Sequence, residues 1–418
     1  MKLAVIGGGS TYTPEVIDGL IRLRDLVPVD ELWLHDTNGD RLGVVFGLAR
    51  RMLDRAGHPV RLEQTTRLED AVEGADAVLI QIRVGGQAAR IVDESLPLAC
   101  GCLGQETTGF GGLAKALRTV PVVLEIAERT RRLASDAWIV DFTNPVGIVT
   151  KALLDEGHRA VGLCSAAMVF QRHFAKVLDV ARERIELDHL GLNHLTWEVG
   201  VRLDGGDVLP RLLDEHAEPV ARATGLPPEL VQRLGNVPSY YLHYFYEHDA
   251  VVEEQRQSKS RAEVVSEIET ELLHLYGDEM LDEKPELLAR RGGAGYSEAA
   301  VELLASLLGS AGRGRHVINL RNDGALSFLA DDAVVEVPAH VEPGGVRPVE
   351  LPALGPLEQG LVAHVSAYES LALDAALRGG RERVFRALLA HPLVAQAPLA
   401  EALTARLIDA NRRFLSWA

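Results

Sequence analysis

The 418-residue sequence predicts an α/β protein. A parallel sheet covered by helices occupies residues 1–165, and a mixed α/β part follows over residues 166–418. Three observations carry this. Short apolar runs alternate with segments of helical spacing through the first 165 residues. A glycine-rich turn, VIGGGSTYTP (Val5–Pro14), joins the first apolar run to the first helix. Beyond residue 165 the regular alternation stops, with no repeat and no low-complexity linker.

Leu3–Ile6 reads as the first strand because it runs straight into glycines. The same feature argues against a leader peptide. Pro14–Arg24 has helical spacing. Glu31–Asp36 (ELWLHD) is a second strand and Asp40–Arg55 a second helix. Val60–Gln64, Ala77–Ile82, Trp138–Phe142 and Ala160–Leu163 complete the strands, with helices at Gly112–Leu133 and Val146–Glu156. Such connections cross over right-handed. Further helices are expected at Pro228–Leu234, Val264–Tyr276, Ser297–Leu308, Gln359–Leu377, Arg381–Leu389 and Leu399–Ala410. Strands are expected at Leu195–Leu203, Val317–Leu320 and Val334–Val337. The Pro/Gly-rich stretch Val337–Pro356 reads as a loop.

Apolar residues make up 47% and charged residues 25%, which excludes a disordered, collagen-like or coiled-coil chain. The net charge of −17 argues against nucleic acid or an anionic membrane as partner. No apolar run reaches the roughly 18–20 residues of a membrane span. Cys100, Cys102 and Cys164 are too few for a disulfide framework, so the reducing cytoplasm is the expected compartment. Cys100 and Cys102 read as structural thiols.

Gly7, Gly8, Gly9 and Ser10 lie between a strand and a helix, where a backbone can approach a dinucleotide pyrophosphate at a helix N-terminus. Asp36 ends the next strand, where an acid can bond a ribose hydroxyl and favour NAD. Tyr12 replaces the usual third glycine. The plain alternatives are a tight βα turn and a strand-end cap. Cys164 ends an apolar strand and His194 sits in GLNHLTW, 30 residues further on. Spacing alone leaves open whether they meet, or are an inert thiol and a core histidine. If they meet, they form an incomplete metal shell with open positions.

GGGSTYTP, GCLGQETTGFGGLAKALRTVPV (Gly101–Val122), DFTNPVGIVT (Asp141–Thr150), GLC (Gly162–Cys164), GLNHLTW (Gly191–Trp197), VPSYYLHYFY (Val237–Tyr246) and RGGAGYSEAA (Arg291–Ala300) occur in that order. This set resembles glycoside hydrolase family 4 and is most similar to its 6-phospho-β-glucosidases. The resemblance implies a Rossmann-like NAD domain over 1–165. It implies a mixed catalytic, substrate and oligomerisation domain over 166–418, in a homodimer or homotetramer. It also implies a divalent metal, usually Mn2+, and a small phosphorylated disaccharide or β-glucoside as substrate.

Most glycosidases use paired carboxylates, and this NAD-dependent family is an exception. Transient oxidation of the C3 hydroxyl by NAD makes the C2 hydrogen acidic. A base removes it, the metal stabilises the enediolate, and the aglycone is eliminated. Water then adds and the hydride returns. By resemblance, Cys164 and His194 match the metal ligands and Tyr241 the base, with Glu106 tuning its basicity. Asn144 matches a sugar ligand, and Arg90 and Arg261 match phosphate-side arginines. Four tyrosines fall within Tyr240–Tyr246, and Tyr241 matches the Tyr-Leu step. Ser165 stands where the family's 6-phospho-α-glucosidases carry Asp as a proton donor and its β-enzymes usually carry Asn, so no general acid is named. The competing readings are an unphosphorylated α-galactosidase or glucuronidase of the same family, and a plain NAD-dependent dehydrogenase.

Overall fold

The structure is a computed structural model that describes residues 1–292 and 295–418. Gly293 and Ala294, inside the RGGAGYSEAA motif, lie outside the described residues.

Six parallel strands form the first part of the main sheet. They are β1 (Lys2–Ile6), β2 (Glu31–His35), β3 (Arg61–Thr65), β4 (Ala77–Ile80), β5 (Trp138–Asp141) and β6 (Ala160–Gly162). Their spatial order is β3-β2-β1-β4-β5-β6, the dinucleotide-fold order. Strands such as Ala77–Ile80 are buried on both faces, which explains their continuous apolar runs. Between them run α1 (Thr13–Arg22), α2 (Gly39–Arg55), α3 (Leu68–Val72), α4 (Gly86–Ser95), α5 (Gly109–Leu133) and α6 (Val146–Asp155).

The chain does not leave this sheet at residue 165. After α7 (Ala166–Leu178), the hairpin β7 (Ile185–Leu192) and β8 (Leu195–Leu203) opens a small antiparallel sheet. It is completed by β9 (Gly206–Asp207) and β10 (Val237–Pro238). Phe170, Phe174, Leu187, Val201, Leu212 and Val231 form its own core. Then β11 (Gly314–Arg321), β12 (Val334–Glu342) and β13 (Gly345–Pro348) extend the main sheet antiparallel beyond β6. The parts on either side of residue 165 therefore share one nine-stranded sheet.

The expected loop over Val337–Pro356 is corrected in its first half. β12 continues to Glu342 and pairs with β13, so Pro343–Gly344 is a two-residue hairpin turn. Pro338 concealed this, because proline usually interrupts a central strand. β7 escaped the pattern because Asp188 and His189 are buried polar residues inside it. Among the described residues no helix is long and apolar enough to cross a membrane.

Candidate active site

The C-terminal ends of β1, β4, β5 and β6 open onto one cavity of about 1590 Å³, at the point where strand order reverses. Gly7 follows β1 with φ of +91°, and a Cβ there would stand 2.7 Å from the Gln81 carbonyl oxygen. Gly8 lies as close to Leu34, and Gly9 to Asp36. Gly9 N–H donates to Asp36 Oδ2 at 3.0 Å, and Asn38 N–H donates to Oδ1 at 3.0 Å. Asp36 thus clamps the turn, while Asn38 caps α2. Gly7, Ser10 and Asp36 line the cavity; Gly8 and Gly9 pack the turn against β2.

At the other end, Cys164 and His194 open onto the same cavity. Cys164 follows β6. His194 sits in the β7–β8 turn with φ of +63°, where Thr107 Oγ1 and His194 Nδ1 are 2.8 Å apart. Burial holds the imidazole neutral, with its pKa lowered to about 4. A neutral imidazole can coordinate a metal ion. Burial and the Glu336 charge raise the Cys164 thiol pKa. The Ala166 N–H, the Tyr296 hydroxyl and the Asn193 side chain oppose that rise. Among the described residues no group of three or more His, Cys, Asp or Glu is arranged to hold a metal. A thiol and an imidazole nevertheless suit a divalent cation whose remaining positions are open.

Tyr241 stacks flat on His194, with ring centroids 3.6 Å apart and planes 7° from parallel. Its phenol pKa is raised well above the usual value, first by burial and then by Cys164, Tyr244, Glu106 and Glu336. Tyr240, the neighbouring candidate, is half exposed at the rim. Asn144, between β5 and α6, also lines the cavity, and its Oδ1 is buried without a hydrogen-bond partner.

Glu106 sits in a cationic nest that sequence reasoning missed. Lys115 Nζ lies 2.7 Å from Oε2, Arg83 also reaches Oε2, and Arg90 lies 3.3 Å from Oε1. Burial alone would raise the carboxyl pKa, but these three charges hold it well below the usual range. Burial and Arg83 lower Lys115 to about 7 against the pull of Glu106. Arg90 also binds Glu94 at 2.7 Å, so two carboxylates already share it. Lys115 inside the glycine- and alanine-rich start of α5 is the one signal that pointed here. Arg261, the first residue of the helix Arg261–Tyr276, lines the cavity beside its N-cap Ser260. Its guanidinium donates to the Arg290 and Arg291 carbonyls at 2.9 and 3.0 Å. Glu269, a lining residue also unforeseen, gathers Arg41, Arg291 and Gln87.

Residues 2–180 match the family 4 glycosyl hydrolase model and residues 189–394 its C-terminal domain. The 6-phospho-beta-glucosidase of Escherichia coli (strain K12) is 35% identical, covering 99% of this chain and 96% of the relative. The 6-phospho-beta glucosidase structure from Thermotoga maritima with manganese, NAD+ and glucose-6-phosphate superposes with a TM-score of 0.91 at 32% identity. It covers 99% of each chain. Malate dehydrogenase from Salinibacter ruber, 17% identical over 90% of this chain and 98% of its own, shares the fold alone at a TM-score of 0.54. Matches over both halves of the sequence, and relatives aligned along its whole length, place the chain in glycosyl hydrolase family 4.

Proposed function

We propose that the protein hydrolyses 6-phospho-β-glucosides, using NAD and a divalent cation such as Mn2+. The observation that carries this is the Tyr241 ring stacked on His194, in a cavity shared with Cys164 and the glycine turn. When bound, NAD supplies a reversible hydride acceptor for the C3 hydroxyl, and the cation supplies Lewis acidity at the C2 and C3 oxygens.

The chain's own residues do the rest. The Gly7–Ser10 turn, its own N–H groups spent on His35, Asp36 and Gly7, lets the pyrophosphate come close to the backbone before the N-terminus of α1, and Asp36 accepts from a ribose hydroxyl. Cys164 and His194 hold the cation. The orphaned Asn144 Oδ1 accepts a sugar hydroxyl. Tyr241 takes the C2 proton. Its raised pKa makes it a base only when positive charge stands beside it. Arg261, at the helix N-terminus that Ser260 and Glu263 cap, receives the 6-phosphate. Arg90 lines the same region while holding Glu106 in place. Glu106 adds negative charge near Tyr241, and its cationic nest limits that effect. A cytoplasmic setting suits a site that needs Cys164 as a free thiol.

The test is release of p-nitrophenol from p-nitrophenyl β-glucoside 6-phosphate, with and without NAD and Mn2+, in heavy water. Turnover should require both additions, and deuterium should enter at C2 of the sugar. Turnover without NAD, leaving C2 unlabelled, overturns the proposal. Turnover of the unphosphorylated glycoside alone moves the substrate to the other branch of the family.

A further inference from the structure

Behind the Cys164–His194 end of the cavity lies a buried polar network that the proposed mechanism does not use. His189 on β7 is fully buried between two carboxylates. Its Nδ1 is 2.6 Å from Glu198 Oε1 on β8, and its Nε2 is 3.1 Å from Glu336 Oε1 on β12. The other oxygen of Glu336 accepts from Asn193 Nδ2 and Asn319 Nδ2, each at 2.8 Å. Glu198, Glu336 and Asn319 are each at most 1% exposed, and none of these five residues lines the cavity.

Two carboxylates around one imidazole are stable when that imidazole is protonated. Burial opposes the charge, but both carboxylates raise the His189 pKa, to about 10. The cluster then keeps one net negative charge, met by two amide groups. Asn193 is the link outward. It immediately precedes His194 in the β7–β8 turn, and its side chain also reaches the Cys164 thiol. One carboxylate on the main sheet thus steadies both sides of the thiol–imidazole pair, and its charge favours a cation there. Groups that orient metal ligands in this way commonly change affinity 10–100-fold.

We propose that Glu336, held by His189 and Glu198, is a positioning residue that fixes Asn193 and thereby sets the Cys164–His194 pair for a divalent cation. This rests on the proposed cation site. The test measures Mn2+ binding to the full chain by calorimetry without substrate, alongside NAD binding and thermal melting. Glu336→Gln should weaken Mn2+ binding about 10–100-fold, with NAD affinity unchanged. Asn193→Ala cuts the outward link and spares the buried triad, so it reports even if Glu336→Gln does not fold. The double variant should lose no more than the worse single one, because both act through one chain of contacts. A folded Glu336→Gln or Asn193→Ala protein that binds Mn2+ like wild type overturns the proposal, even if its melting temperature falls. Cys164→Ser and His194→Ala separate the two levels. If wild type binds no Mn2+, or binds it independently of Cys164 and His194, the cation site itself is wrong and this proposal falls with it.

Discussion

At Tyr241 the ring and the hydroxyl do different work. The ring covers His194 at 3.6 Å, and the hydroxyl is the proposed base. Tyr241→Phe keeps the first and removes the second. Mn2+ and NAD binding should persist while turnover falls about 10²–10⁴-fold, the usual loss of a general base. Steady-state kinetics beside calorimetric titrations check this. Full activity in Tyr241→Phe with deuterium still entering C2 would move the role to another group. The choice of Tyr241 over Tyr240 was available from the Tyr-Leu step, and the structure turns Tyr240 outward at 51% exposure. The nest around Glu106 was not available. Arg83 and Arg90 come from the β4–α4 segment and Lys115 from α5, and an isolated basic residue in a sequence reads as surface.

The start of α5 is tied to pH through His391, which follows the helix Arg381–Ala390. Gly109 N–H donates to His391 Nε2 at 3.0 Å, and the Tyr368 ring stands edge-on to the same imidazole. Burial first, then His364, lowers the His391 pKa from 6.5 to about 3. His316 is likewise lowered by burial, to about 4. Both histidines are neutral in the fold and become protonated in the unfolded chain below about pH 6.5. Their contribution is therefore complete above that pH and is lost as pH falls toward the folded values. From the His391 shift, wild type should lose on the order of 3 kcal/mol between pH 6.5 and 4. His391→Gln, which can still accept from Gly109, should flatten the decline. Thermal melting across this range of pH is the measurement. Equal slopes in both proteins would rule out His391 as a cause.

Across the whole molecule, the last helix, Ala397–Asn411, is locked onto the nucleotide-type domain by buried charge. Arg118 on α5 grips Asp93 on α4 with paired bonds of 3.0 and 2.5 Å and also donates to Asn411. Arg118 and Asp93 are at most 4% exposed. Arg118→Met leaves a buried carboxylate without its partner and should cost about 3–5 kcal/mol in denaturant unfolding. Adding Asp93→Leu should recover much of that loss, because the uncompensated charge is then gone. If the double variant is no more stable than Arg118→Met, the cost comes from packing. This lock and the strands β11–β13 make residues 1–165 and 166–418 one folded body.

Strand–helix alternation, the glycine turn and the seven ordered motifs were readable in the primary structure because each depends on neighbours within a few residues. Periodicity identifies a buried face, and a turn needing φ of +91° demands glycine wherever it occurs. Hence β1 to β6, the helices α1, α2, α5 and α6 and the choice of Cys164, His194 and Tyr241 followed from local patterns and resemblance, whereas the short helices α3 and α4 were not read. The continuation of β12 through Pro338, the nest around Glu106 and the Glu198–His189–Glu336 network did not. The first was hidden by a proline inside a paired strand, and the other two bring charged groups from different elements together in the interior, where local pattern expects apolar residues. A buried charge is tolerated only with its partner, and that partner is supplied by the folding of distant strands and helices against one another.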